Sequence, residues 1–322
     1  MTRKSASEGI TVDALAALAL NIKPSAVVIP VAAGKRKDSM YQILSKQVLN
    51  PLVTRIDIHS PLVARKAEPG QFVILRVDAE GERIPLTIAD FDRERGSVAV
   101  IFQIVGATTA ALNRLEQGDY IHDFVGPLGK ATETDGLKKV AVVGGGVGCA
   151  IAWPIARKLR DSGCEVHTVT GFRNRELVIL TDAFKQVSHR FVLMTDDGSA
   201  GEQGLVTSAL ERLIDSGEHY DAVITIGPLI MMKHVCKLTR DKGIRTIASM
   251  NPVMIDGTGM CGGCRLTVGG KTMFACVDGP DYDGHAIDFN EALSRAAMYA
   301  DQERMARDTD CRLFGQEVGT HA

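Results

Sequence analysis

Between Met40 and about Gly129 the apolar residues come in short runs cut by turn formers: TRIDIHSPL (54–62), PGQFVILRV (69–77) and GSVAVIFQIV (96–105). Runs of this length, rich in β-branched residues and broken by Gly, Pro and Asp, predict a small antiparallel β-barrel. From Lys138 the pattern changes. KKVAVV (138–143) is continuously apolar after its lysines, as a strand covered on both faces should be, GGGVG (144–148) makes a turn, and Cys149 to Arg160 has helical spacing. EVHTVTGF (165–172), RFVLM (190–194) and YDAVITIG (220–227) repeat the strand signal with helical segments between them, which predicts a parallel sheet in an α/β domain. Beyond Met250 the periodicity gives way to a glycine- and cysteine-rich loop region, and Asn290 to Arg307 closes the chain as a helix. The expected layout is an N-terminal extension (1–39), a barrel (40–135), an α/β domain (136–250), a loop region (251–290) and a C-terminal helix and tail (291–322).

The extension contains an apolar stretch, Val12 to Leu20, broken by Asp13 and followed by Asn21, Lys23 and Pro24. It is too short and too interrupted for a spanning helix or a signal peptide, and a short amphipathic helix or a disordered leader is expected, with Lys35-Arg36-Lys37 as a solvated linker. A chain of 322 residues with 45% hydrophobic and 24% charged residues can bury a sizeable core. Its 37 basic and 39 acidic residues give a net charge of −2, which offers no basic face for nucleic acid. Seven cysteines, three of them within sixteen residues, do not form a secreted disulfide framework and fit a reducing cytoplasm.

Three motifs carry candidate chemistry. The glycines of Gly144-Gly145-Gly146-Val147-Gly148 stand between a strand and a helix, where bare backbone can approach a pyrophosphate, although a plain tight turn has the same signature. No acidic residue ends the following strand; Arg173 and Arg175 stand there and could meet an adenosine ribose or a 2′-phosphate. In the barrel, Arg83-Ile84-Pro85-Leu86-Thr87 and Gly106-Ala107-Thr108-Thr109 place a cation and hydroxyls near strand ends. The third motif is IDGTGMCGGC (255–264) with Cys276 beyond it: D-x4-C-x2-C-x11-C, the spacing of a plant-type [2Fe–2S] loop with aspartate in the first position. A structural zinc site built from Cys261, Cys264, Cys276 and either His285 or Asp256 is the competing reading. Cys149, Cys164, Cys236 and Cys311 are expected to be packed thiols.

Taken in order, PGQFV, RIPLT, GATT, GPLG, GGGVG, TDDGSAGEQG, IGPLIMMK and DGTGMCGGC resemble the ferredoxin-NADP reductase superfamily. The similarity is to the branch containing dihydroorotate dehydrogenase electron-transfer subunits and, more narrowly, small subunits of NADH-dependent reduced ferredoxin:NADP oxidoreductases. The resemblance runs from about Met40 to Leu313. It implies FAD held around Arg83, Pro85, Leu86, Thr87, Phe102, Gln103, Gly106, Thr108 and Thr109. It further implies NAD(H), with NADP not excluded, at Gly144 to Gly148 and Arg173, with the nicotinamide near Gly227 and Pro228, and a [2Fe–2S] cluster on Asp256, Cys261, Cys264 and Cys276. It also implies a larger flavin and iron–sulfur partner resembling the glutamate synthase small subunit, ferredoxin engaged through that complex, and electron transfer in assemblies that include bifurcating ones. No catalytic acid–base residue is expected, because such cofactors do the chemistry.

Overall fold

The computed structural model describes residues 41–299, 301, 302, 304 and 305. The apolar stretch 12–20 and the basic linker 35–37 lie outside them. Strands β1 (Tyr41–Asn50), β2 (Val53–His59), β3 (Phe72–Arg76), β4 (Arg83–Asp92), β5 (Ser97–Gln103), β6 (Tyr120–Ile121) and β7 (Asp123–Leu128) form one antiparallel sheet in the order β6-β1-β2-β5-β4-β3-β7. Its two edge strands are joined in the chain by His122 alone, so the sheet curls almost to closure, and the His122 N–H is taken by the carbonyls of Arg76 and Val77. Two helices cover it, α1 (Pro61–Lys66) and α2 (Ala107–Arg114). Pro61 ends the TRIDIHS strand and opens α1, because its fixed φ suits a first helical residue that needs no N–H.

The second sheet comprises β8 (Lys139–Gly145), β9 (Glu165–Phe172), β10 (Arg190–Thr195), β11 (Glu202–Gln203), β12 (Ala222–Ile226) and β13 (Thr246–Ser249), all parallel, with β16 (Asp281–Asp283) antiparallel at one edge. The order β11-β10-β9-β8-β12-β13-β16 sends the chain one way from β8 and then the other, so β8 lies at the switch point where α/β sheets bind ligands. Helices α3 (Cys149–Asp161), α4 (Thr181–Val187), α5 (Val206–Asp215) and α6 (Leu229–Asp241) pack on it. Helix α3 tolerates Pro154, whose missing N–H costs one helical bond while its ring is buried.

Two findings differ from the sequence pattern beyond Met250. The region holds a hairpin, β14 (Arg265–Val268) and β15 (Lys271–Phe274), turned by Gly269 and Gly270 with φ of 58° and 75°, and its next strand is β16, part of the second sheet. The expected closing helix is interrupted: α7 spans Phe289–Ala296, opened by Asp288, whose carboxylate accepts the N–H groups of Asn290 and Glu291, residues 297–299 form a turn, and Asp301, Gln302, Arg304 and Met305 are helical again. Met298 and Tyr299, in the turn that interrupts it, are 55% and 50% exposed. No helix among the described residues is long and apolar enough to cross a membrane.

The sheets share their cores. Val53, Ala89 and Ile101 of the barrel belong to the apolar cluster of Cys149, Ala152 and Ile155 on α3. Above it Arg157 donates to Asp90 at 2.7 Å and stacks on Trp153, and the Asn50 amide donates to the Leu177 carbonyl. A further cluster joins Phe72 and Ile74 of β3 to Met250, Met254, Cys264 and Cys276. The segment after the barrel is tied to β16 by the Thr132 hydroxyl, which donates to Asp281 at 2.6 Å.

The other carboxyl oxygen of Asp281 is buried without a partner, and burial raises its pKa more than Thr132 and Ser249 lower it. A carboxyl whose folded pKa is raised contributes stability that is fully present below its unfolded pKa, near 4, and is lost as pH rises through the folded value. Asp281→Asn should therefore gain stability relative to the parent as pH rises from about 4 to 8, measured by urea unfolding at each pH; parallel stability curves for the two proteins would refute this.

Candidate cofactor-binding sites

At the carboxyl ends of the second sheet opens a cleft of about 820 Å³. Gly145, Gly146, Val147 and Gly148 form its floor, Arg173 lies at one side, Gly227 and Pro228 at the other, and Gln103 reaches in from the end of β5. These sequence candidates come together; Gly144 lies beneath them, where a Cβ would strike Cys149 Sγ at 2.9 Å. Gly146 has φ +54° and open space where its Cβ would be, so the turn presents bare backbone to the cleft. Lining residues that no quoted motif contained are Leu52, Thr207, His234, Ser249 and Asn251, which arrive from separate loops and strand ends; Asp196, within TDDGSAGEQG, has no role assigned from the sequence.

Alternation along β4 sorts the barrel candidates. Ile84, Leu86 and Ile88 pack into the barrel core, which leaves Arg83, Pro85 and Thr87 on the opposite face. Leu86 therefore supports this wall from behind. Phe102 is also core, 2% exposed, and only its neighbour Gln103 faces the cleft. Arg83 is exposed and pairs with no described residue. Glu82 beside it accepts from the Thr108 hydroxyl at 2.9 Å, a bond that brings the RIPLT and GATT motifs side by side. The Thr109 hydroxyl is used within its own turn, accepting the N–H groups of Val105 and Gly106 and donating to the Gly106 carbonyl. Gly106 has nothing within 4 Å of a built Cβ. An exposed, unpaired arginine, an outward threonine and an open helix start suit a diphosphate.

The cysteine loop lies against the barrel. A Cβ on Gly257 would meet Ile74 of β3 and Leu128 of β7 at 2.7 and 2.8 Å, so the loop is seated by a glycine with φ +78°. The GPLG segment (126–129) ends β7 beneath it, and the Lys130 N–H continues the junction by donating to the Gly279 carbonyl at 2.7 Å. Cys264 and Cys276 are buried with sulfurs 3.3 Å apart, and Cys261 is exposed. Asp256 stands in the same loop: its carboxylate accepts the Cys261 N–H at 2.9 Å and the Thr258 N–H, and these bonds lower its pKa and keep it ionised. Burial and the adjoining Cys264 sulfur push the Cys276 thiol up to about 12. The Gly263 and Cys276 N–H groups point at Cys261 and Cys264 sulfur at 3.4 and 3.5 Å, donors suited to thiolates. Arg295 of α7 braces the loop from behind, donating to the Gly263 carbonyl. His285 is not part of this set, because its ring is bonded to the Thr239 hydroxyl.

Among the described residues the group Glu165, His167 and Glu218, away from the cysteine loop, has metal-ligand atoms within 4.8 Å of one another. The Lys139 ammonium already sits between the two carboxylates, 2.9 and 2.5 Å away, so the group is a salt-bridge network. Cys149, Cys164 and Cys236 are buried thiols whose pKa is raised by burial, inert in reactivity.

Residues 251–288 match the iron–sulfur cluster binding domain of dihydroorotate dehydrogenase B. A Thermotoga maritima protein described as a homolog of the dihydroorotate dehydrogenase B (NAD(+)) electron transfer subunit is 44% identical over 259 residues, 80% of this chain and 91% of that one. The corresponding Streptococcus pneumoniae electron transfer subunit is 33% identical over 247 residues, 74% of this chain and 94% of its own. A chain solved in a study of flavin-based electron bifurcation by NADH-dependent reduced ferredoxin-NADP oxidoreductase superposes with a TM-score of 0.80 at 42% identity, covering 86% of this chain and 99% of that one. With its near-closed barrel, switch-point cleft and cysteine loop, the chain belongs to the family of dihydroorotate dehydrogenase B electron-transfer subunits and their homologues, built on the ferredoxin-NADP reductase-like fold.

Proposed function

We propose that this chain is an electron-transfer flavoprotein subunit that carries electrons between NAD(H), FAD and a [2Fe–2S] cluster, and exchanges them with a larger partner subunit. The observation that carries this reading is that the barrel touches both other sites: Gln103 and Leu52 line the nucleotide cleft, while Ile74 and Leu128 seat the cysteine loop. When bound, FAD supplies the exchange between the two-electron chemistry of nicotinamide and the one-electron chemistry of an iron–sulfur cluster. The chain's own residues bind and position. Arg83 and Thr87, with Thr108 and the Gly106 turn, would hold the flavin diphosphate; Gly145 to Gly148 would receive the dinucleotide pyrophosphate, with the nicotinamide toward Gly227 and Pro228; Asp256, Cys261, Cys264 and Cys276 would hold the cluster.

The partner is proposed to be a larger FAD and iron–sulfur subunit resembling the glutamate synthase small subunit, with ferredoxin reached through it, in a cytoplasmic complex capable of bifurcation. Support for a partner comes from the rim of the cysteine loop, where Ile255, Met260 and Val277 are 55%, 88% and 39% exposed around Cys261. A second reading, service to dihydroorotate oxidation, is supported by the descriptions of the relatives. Aspartate at 256, where that group is expected to carry cysteine, favours the first.

Arg83→Ala should weaken FAD binding about ten- to hundredfold, the loss of one charge-assisted hydrogen bond to phosphate. Flavin content and titrated affinity equal to the parent would remove Arg83 from the site.

Asp256→Cys should keep a [2Fe–2S] cluster with a shifted potential and an altered electron paramagnetic resonance spectrum, because thiolate is a softer, more electron-donating ligand than carboxylate. His285→Ala should change neither. Protein purified without oxygen that contains zinc and no iron, or an Asp256→Ala variant with unaltered spectrum and potential, would end the assignment.

A further inference from the structure

Among the described residues, buried side-chain polar atoms of Trp153, Thr170, Thr225, Asp281 and Tyr282 find no hydrogen-bond partner. Tyr282 is the one of these whose ring packs in the same apolar cluster as Cys264 and Cys276, and it is 8% exposed. An unpaired hydroxyl is costly to bury, and phenylalanine would fill nearly the same volume without that cost. The hydroxyl therefore calls for an acceptor.

The chain fixes where this phenol stands. Tyr282 is the middle residue of β16, beside Ala248 of β13, and the strand is pinned on either side of it: the Met250 N–H donates to the Pro280 carbonyl at 2.9 Å and the Gly284 N–H to the Thr246 carbonyl at 2.8 Å. Between Cys276 and β16 the chain turns tightly, with the Val277 and Asp278 N–H groups both donating to the Phe274 carbonyl. The ring folds back over this turn. A Cβ on Gly279 would lie 2.6 Å from Tyr282 Cε2 and 2.8 Å from its hydroxyl oxygen, so the phenol fills the space that a side chain at 279 would need. The acids nearby are engaged elsewhere: Asp278 accepts the Phe274 N–H at 2.8 Å, and Asp281, on the opposite face of the strand, accepts from Thr132. Burial, with the charges of Asp278, Cys264 and Cys276, holds the phenol above its usual pKa, which keeps it a donor at neutral pH.

We propose that the Tyr282 hydroxyl donates a hydrogen bond to a sulfur of the cluster held by Cys264 and Cys276 and thereby raises the reduction potential of that cluster. This rests on the reading of Asp256, Cys261, Cys264 and Cys276 as a [2Fe–2S] site. Sulfide and thiolate are acceptors, and hydrogen bonds to them are among the factors that set the potential of such a cluster. Reduction adds one negative charge, so a donor stabilises the reduced form more than the oxidised one. The effect is largest in the apolar half of the loop, where the low dielectric strengthens each bond and the Cys276 N–H, 3.5 Å from the Cys264 sulfur, is the backbone donor. Tyr282 acts through the cluster and touches neither nicotinamide nor flavin in this role, so it is a positioning residue.

The test uses the full chain, purified without oxygen with its flavin and cluster, and reads the midpoint potential of the cluster in a redox titration followed by electron paramagnetic resonance. Tyr282→Phe keeps the ring and its packing and should lower the potential at unchanged iron and sulfide content. A ring-fluorinated tyrosine at 282, a stronger donor of nearly the same shape, should raise it when measured at a pH where the phenol stays protonated. Pulsed resonance of the reduced parent should show a deuterium-exchangeable proton coupling that Tyr282→Phe lacks. Equal potentials in the parent and Tyr282→Phe at full cluster content overturn this proposal and leave the cluster reading standing. If Tyr282→Phe loses its cluster, the fluorinated protein decides, and a potential equal to the parent's there overturns the proposal. A parent that contains zinc and no iron overturns the cluster reading and this proposal with it.

Discussion

The turn after β8 exists only because its backbone and the end of β12 meet there without side chains between them. A Cβ on Gly148 would stand 2.6 Å from the Ile226 carbonyl oxygen and 2.7 Å from Gly227 Cα, and one on Gly145 would stand 2.3 Å from Met231 Sδ. The two contacts at Gly148 cannot be relieved by rotating a side chain, because both are to backbone, whereas the Met231 sulfur can turn away from Gly145. They lock β8 onto the end of β12 at the switch point, and helix α3 starts where that contact leaves it. From there α3 is aimed so that Arg157 reaches Asp90 of the barrel and Cys149, Ala152 and Ile155 pack beneath Ala89 and Ile101. The cleft between barrel and sheet, with Gln103 on one wall and the glycine turn on the other, is the space those contacts leave.

Much of this was legible in the sequence, for a local reason in each case. EVHTVTGF, RFVLM and YDAVITIG stand where β9, β10 and β12 form, because a buried parallel strand is a continuous apolar run and needs no distant information. The glycine turn was legible for the same reason. What was hidden depends on pairing or on facing. β6 has two residues and is a strand only because β1 lies beside it. The Gly269-Gly270 hairpin carries a local signature that was outweighed by the cysteine spacing around it. Leu86 and Phe102 sit inside motifs that resemble flavin-binding ones, yet their side chains turn to the core, a distinction set by the parity of the strand and invisible in a motif read as a string. Asp196 stands inside TDDGSAGEQG, yet its place in the cleft is set by the pairing of β10 with β9, which no string of residues displays.

The reading of this chain as an electron carrier explains why its buried polar groups are structural. Thr132 ties Asp281, His285 ties Thr239, and Lys139 closes the Glu165 and Glu218 pair. Among the described residues these sets lie away from the lining of the cleft. The barrel is the common support: its β5 end bounds the cleft, and its β3 and β7 strands carry the cysteine loop. Rigidity of that one sheet is then what holds the separation of the two sites.

The cysteine loop is asymmetric in two ways that coincide. Cys264 and Cys276, with sulfurs 3.3 Å apart, are buried against Phe72, Ile74 and Met254, whereas Asp256 and Cys261 lie toward the surface. The softer pair of donors is therefore in the apolar half, where an unpaired negative charge is costly and the Cys276 N–H is the donor at hand. The carboxylate is in the half that water and the Thr258 and Cys261 N–H groups can reach, and an ionised oxygen is least costly there. Exchanging the two positions would bury the charge that is hardest to desolvate. The exposed half is also the one rimmed by Ile255, Met260 and Val277, so the side that tolerates the aspartate is the side a partner would cover. Docking there would remove water from around Asp256, which makes its bonds to the loop N–H groups the means by which that carboxylate stays ionised in the complex.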